Sequence, residues 1–229
     1  MEYLLNFHTA TDTAIVTICI GQKVIASSSN SDSKQHAMWL HTSIQRLLKE
    51  NNLQIHQLQG IGVTIGPGSY TGIRVGLATA KGLCYALKIP LITFNSLEVL
   101  ALSAADSLND TDSLYCPMID ARRMEVYTGI YTHDLMEIVP PSAVIITEPS
   151  FIEAIQNAGP RKIYFFGNGS EKFKPIVTEI PAHFVDQEIT SEALGRLAWV
   201  KYQSQEFKDL PFSEPLYIKE FYSTGTKEG

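Results

Sequence analysis

Two kinds of apolar pattern alternate along the chain. Short runs rich in β-branched and aromatic residues, at residues 3 to 7 (Tyr-Leu-Leu-Asn-Phe) and 13 to 20 (Thr-Ala-Ile-Val-Thr-Ile-Cys-Ile), predict strands. Gly21-Gln22 turns the second run into a third strand at residues 23 to 27. Beyond the polar stretch SSNSDSKQ the period lengthens. Leu40, Ile44, Leu47 and Leu48 recur at helical spacing and predict a helix over about 35–50. A buried strand over 60–66 then runs into GPGSYTGIRVGLATAKGL, residues 66 to 83, a glycine-rich loop that opens a second helix. Residues 90 to 94 predict another strand, and Asn95 with Glu98 has capping-box spacing for the helix that follows.

Near residues 107 to 113 (SLNDTDS) the chain turns polar, which marks a lobe boundary. Strands are expected at 114 to 119 and 124 to 131, around the tight turn Asp120-Ala121-Arg122-Arg123. An extended stretch at 135 to 146 carries Pro140-Pro141, which suits the edge of a sheet. Pro149 fits the first turn of a helix, residues 162 to 166 read as a strand before the turn GNGS, and Thr190 or Ser191 caps a helix reaching about residue 205. The order is β-β-β-α-β-α-β-α, then β-β-β-α-β-loop-α. That repetition predicts an α/β protein of two lobes on one plan: residues 1–106, residues 107–205, and a C-terminal segment, 206–229, packing back on the first lobe.

Composition narrows the function. The 229 residues are 45% hydrophobic, enough for a proper core. The net charge is −6 with no Lys/Arg run, which argues against a strong nucleic-acid surface acting alone and leaves open a contribution to a shared one. Cys19, Cys84 and Cys116 are an odd set at wide spacing, so neither a disulfide framework nor a zinc site is expected. They read as buried thiols in a reducing cytoplasm. The N-terminus does not read as a signal peptide, and no apolar run reaches membrane-spanning length.

The glycine loop matches neither the P-loop ending GK[ST] nor the GxGxxG spacing, since Thr71 stands where a third glycine would. A strand-glycine-helix junction still aims amide N–H groups at one point, so Gly66, Gly68, Ser69, Thr71 and Arg74 form a candidate anion- or nucleotide-proximal loop. Arg74 opposes the helix dipole there. It calls for an anionic partner, either a carboxylate of the fold or a bound phosphate.

The helix itself is apolar over most of its circumference and must be covered on more than one side. The small row Gly72, Gly76, Ala80, with Leu83, would admit another helix at close range, either a partner's or one of the same fold. Met38 and Trp39 point away from the preceding helix's stripe and are interface candidates, unless a loop of the chain covers them. No metal set is evident: His36 and His41 are five apart and cannot share an ion. Ser69 has no base beside it. Asp120, Arg122 and Arg123 at the hairpin tip are either a site or an ordinary turn with solvated arginines.

GPGSYTGIRVGLATAKGL, then IDARRMEVY (119 to 127), then PLYIK (215 to 219) resemble, in order and rough spacing, the motifs of the TsaB (YeaZ) family. The resemblance implies a two-lobed fold of the actin, Hsp70 and sugar-kinase type (ribonuclease H-like), with mixed sheets flanked by helices. It implies a non-catalytic scaffold subunit. Such a subunit binds and activates TsaD, with TsaE in a larger complex, to form N6-threonylcarbamoyladenosine at position 37 of tRNAs reading ANN codons. The tRNA would be engaged indirectly and the chain would bring no cofactor of its own, ATP or ADP and Mg²⁺ belonging to the assembled complex. The first two helices would form the contact with TsaD. The family commonly holds an aspartate where this chain has His8, and imidazole is a poor ligand for Mg²⁺. Two other readings stay open: an independent nucleotide hydrolase or glycopeptidase-like enzyme, and a homodimer with a separate role.

Overall fold

A computed structural model describes residues 1–32, 36–177 and 182–219, the side chain of His36 excepted. Its first sheet begins as an antiparallel meander of β1 (Tyr3–His8), β2 (Ala14–Ile20) and β3 (Lys23–Asn30). On the other side of β1 lie the parallel strands β4 (Leu58–Thr64) and β5 (Leu91–Phe94), giving the order β3-β2-β1-β4-β5. The second sheet repeats this arrangement. β6 (Leu114–Asp120) pairs antiparallel with β7 (Glu125–Thr132), which pairs with the edge strand β8 (Glu137–Ile145). β9 (Ile163–Phe166) and β10 (Ala182–Phe184) follow in parallel on the other side of β6. The two halves share no residue-level repeat, yet their strands superpose in order: the α/β architecture of two mixed sheets that the pattern predicts.

The central strands read as unbroken apolar runs because both faces of each sheet are covered. Outside the first sheet lie α1 (His36–Glu50) and α2 (Tyr70–Leu87), over a core that includes Leu40, Ile44, Leu47 and Leu48. Between the sheets lies α3 (Ser96–Leu108), apolar on nearly all sides because it is enclosed on nearly all sides. Asn95 caps it by accepting from Leu97 N–H at 2.9 Å. α4 (Pro149–Asn157) covers the outer face of the second sheet.

The last helix, α5 (Ser191–Gln203), falls within residues 107–205 yet packs on β1, β2 and β3 of the first sheet. Gly195 allows this approach, since a Cβ there would lie 2.7 Å from Cys19 Sγ. The strand limits move where the chain is polar or short. β3 runs on through Ser27–Asn30, whose backbone pairs with β2 while its side chains are only partly covered. The three-residue β10 carries too little pattern to be read in advance.

Residues 206–219 run back along the first sheet. Lys208 N–H donates to Leu91 O at 2.8 Å, which covers part of the open edge of β5, and Leu216 N–H donates to Ile65 O at 2.7 Å just past β4. Residues 220–229 lie outside the described residues. No helix among those described is long and apolar enough to cross a membrane.

All three cysteines are buried, and burial pushes the thiols of Cys84 and Cys116 up to about 12. A thiol-specific chromogenic reagent at pH 8 is therefore expected to label no cysteine in the native protein over minutes and all three in denaturant. Rapid labelling of one thiol in the native state would show that its surroundings open.

Candidate functional site

The glycine loop is bound to its own chain. Ser69 N–H donates to Ala10 O at 2.6 Å, and the Thr9 hydroxyl donates to Gly72 O at 2.7 Å. Gly68 takes φ +147, and a Cβ on it would fall 2.0 Å from Ala10 O. At Gly72 the same test gives 1.9 Å from Thr9 O. The glycines thus let the start of α2 press against the β1–β2 turn, backbone on backbone. Ser69 caps α2 by accepting from Gly72 N–H at 3.3 Å, and Thr71 is exposed beside it. Gly66 O accepts from Ser96 N–H at 2.8 Å, joining the loop to α3. Two of the amides expected to face a ligand, those of Ser69 and Gly72, therefore face a carbonyl and a hydroxyl of this protein.

Among the described residues Arg74 meets no carboxylate. Its guanidinium carbon lies 3.9 Å from the centre of the Tyr70 ring, and its Nε–H donates to Tyr217 Oη at 2.9 Å. Tyr70 and Tyr217 stack at 5.8 Å. The bond to Tyr217 holds the Arg74 pKa above its ordinary value. Electron-rich ring faces do what a carboxylate was expected to do. The other cation on the same line of α2, Lys81, donates to Ser213 O at 3.0 Å. The C-terminal segment therefore covers one side of α2 that the pattern left uncovered.

The row Gly72, Gly76 and Ala80 is likewise taken. All three are buried, and a Cβ on Gly76 would meet Thr9 Oγ1 at 2.5 Å and Val63 Cγ2 at 3.4 Å. This corrects the expectation that the row receives a partner helix: it receives the β1–β2 turn and β4 of its own sheet. Leu83 and Trp39 are half-buried against that core as well, so Trp39 is not a free anchor. Met38 is, at 68% exposure. A row on the flank of α2, about 110° round from Gly76 and Ala80 at about 100° per residue, carries Val75, Thr79, Gly82 and Ala86, of which Val75 and Thr79 are half-buried and Gly82 and Ala86 exposed. A Cβ on Gly82 meets nothing within 4 Å, and Tyr85 beside it is 82% exposed.

At the end of β1, His8 is fully buried, with Nδ1 2.9 Å from Thr64 Oγ1 and Nε2 2.7 Å from Thr11 Oγ1. Across the gap between the sheets, Asn168 Nδ2–H donates to Asp12 Oδ2 at 2.9 Å, while its Oδ1 accepts from Asp120 N–H at 2.9 Å. The cavity here, lined by Thr11, Asp12, Asn168 and Glu188, holds about 40 Å³, space for about a water or two. A Mg²⁺-nucleotide needs several oxygen ligands and a roomy cleft. These residues do not fit one.

The hairpin tip is pinned. Asp120 Oδ1 accepts from Arg122 N–H at 2.6 Å and pairs with Lys172, which also donates to Arg123 O at 2.7 Å. Arg122 and Arg123 both hold left-handed backbone, φ 67 and 51, and their side chains are exposed. Among the described residues no group of three or more His, Cys, Asp or Glu could hold a metal.

Comparison with known proteins gives one consistent result. Residues 23–194 match the family model described as TsaD: tRNA N6-adenosine threonylcarbamoyltransferase. The tRNA threonylcarbamoyladenosine biosynthesis protein TsaB of Bacillus subtilis is 30% identical over 180 residues, 77% of this chain and 76% of that one. The protein of the same name in Escherichia coli K12 is 30% identical over 101 residues, 44% and 43% of the two chains. The solved structure of YeaZ from Pseudomonas aeruginosa covers 95% of this chain and 100% of its own, at TM-score 0.81 and 21% identity.

Proposed function

The chain belongs to the TsaB (YeaZ) family, and from that premise we infer that it is a non-catalytic subunit of the machinery that forms threonylcarbamoyladenosine in tRNA. Its work is to dock and activate a TsaD-type catalytic subunit, which a TsaE-type ATPase joins. The observation that carries this reading is the outward face of α1 and α2. Met38 on α1 and Tyr85 on α2 stand exposed on it, and the Cβ position of Gly82 on α2 is open, so that a partner helix would come close there. The arrangement around His8 supports the non-catalytic half of the reading, since both ring nitrogens are committed to threonines where chemistry would need a carboxylate. Nucleotide and Mg²⁺ then belong to the assembled complex.

Reconstitution tests this. With tRNA, ATP and a threonylcarbamoyl donor supplied, the modified nucleoside is expected only when this chain and the TsaD-type subunit are both present. Sedimentation is expected to show a one-to-one species. ATP turnover by this chain alone would sink the non-catalytic assignment. A self-associated species that persists when the TsaD-type subunit is added would favour a homodimer with a separate role.

A further inference from the structure

The three sequence motifs, far apart in the chain, line one cleft. Tyr70 comes from the glycine loop's helix, Arg122, Arg123 and Tyr127 from the β6–β7 hairpin, and Tyr217 and Lys219 from the C-terminal segment. The cleft holds about 450 Å³, some tenfold the cavity beside Asp12, and lies in the range of ligand-binding pockets, roughly 300–1,000 Å³. Its charges are unevenly used. Glu125 pairs with Lys219 and Asp120 with Lys172, whereas Arg122 and Arg123 make no ion pair among the described residues. Arg74 stands beside Tyr217 with only aromatic partners among the interactions described above. On a chain of net charge −6 this leaves one cationic, tyrosine-walled opening.

We propose that this cleft binds single-stranded RNA, with phosphates on Arg122 and Arg123 and bases against its tyrosines. This deepens the reading of the chain as a tRNA-modification subunit and rests on it for the source of the RNA. Arginine and aromatic surface in one groove are what an unpaired strand requires, since every base has a face to stack and every phosphodiester a single charge to match. A nucleoside di- or triphosphate fits less well. It arrives with Mg²⁺, and both carboxylates here are already held by lysines. The pinned tip supports the assignment. Lys172 and the Asp120 side chain fix the turn that presents both arginines, so little ordering remains to be done on binding.

The test is fluorescence anisotropy with a labelled anticodon stem-loop RNA, on the full chain and on its complex with the TsaD-type subunit, from low to moderate salt. The variant is Arg122→Asn/Arg123→Asn, because asparagine tolerates the left-handed backbone both positions adopt. Binding is expected to weaken at least about tenfold, and the slope of log affinity against log salt to fall by about two. Melting temperature and subunit association are expected to stay unchanged. Photo-crosslinking of the RNA to the wild-type chain, mapped by mass spectrometry, is expected to mark Tyr70, Tyr127 or Tyr217 and does not depend on the variant folding. Unchanged affinity in the double variant, absence of RNA binding at low salt, or displacement of the RNA by equimolar AMP would each overturn the proposal. Loss of RNA binding with subunit docking intact keeps both readings. RNA binding without docking overturns only the docking.

Discussion

Gly72→Ala is expected to lose about 3–5 kcal/mol of folding stability, read as a lowered midpoint in guanidinium denaturation. One methyl group has this effect because of what it meets. The added Cβ would lie 1.9 Å from Thr9 O, a backbone carbonyl at the end of a strand laddered on both sides. A flexible side chain would rotate away. Thr9 O moves only if β1 or α2 moves, and either shift stretches the bonds from Thr9 Oγ1 to Gly72 O and from Ser69 N to Ala10 O. Each such bond contributes about 1 kcal/mol, and the overpacking itself costs about 1–3 kcal/mol. Set against a typical stability of roughly 5–15 kcal/mol, that is a large fraction of the total and a clear shift of the midpoint. Gly82→Ala is the control on the same helix. It meets open space and is expected to gain up to about 1 kcal/mol from helix propensity alone. Equal midpoints for the two variants would show that the β1–β2 turn does not press on α2.

The contrast between these two glycines marks how far the sequence could be read. Periodicity places the major elements within a few residues, because the period of an apolar pattern is a local property. The duplicated plan is legible for the same reason, as an order of elements. Which side of an all-round apolar helix faces the sheet is not local. Gly76 and Gly82 look alike in sequence, and only contact with Thr9 of the β1–β2 turn and Val63 of β4 separates them. Arg74 finds Tyr217 at a separation of 143 residues, and Asp12 finds Asn168 at 156. No pattern within a window of a helix or strand carries those pairings. The one advance signal was the family resemblance, whose separate motifs name the same tyrosine and hairpin that the fold brings together. α5 shows the limit differently. Its stripe was legible, but not that it would reach across to the first sheet.

Gly82→Arg is expected to abolish assembly with the TsaD-type subunit, raising the Kd at least about 100-fold, while the isolated chain melts no lower than the wild type. A helix seated on Gly82 and Ala86 comes close because those two exposed residues are small, and interaxial distances of about 8–10 Å leave no room for an arginine between the helices. A 100-fold loss corresponds to about 2.7 kcal/mol, well within what a blocked central position removes. Removing Gly82 costs the monomer nothing, since its Cβ position is empty and glycine is a poor helix residue. The variant therefore separates docking from folding, which substitution of Gly76 could not do, because Gly76 already lies against Thr9 and Val63. Met38→Ala, on the neighbouring helix, is expected to weaken the same association about tenfold and likewise leave melting unchanged, as Met38 is exposed in the isolated chain. Isothermal calorimetry on both variants reads the Kd directly. Wild-type affinity with Gly82→Arg would move the docking surface off α2 altogether.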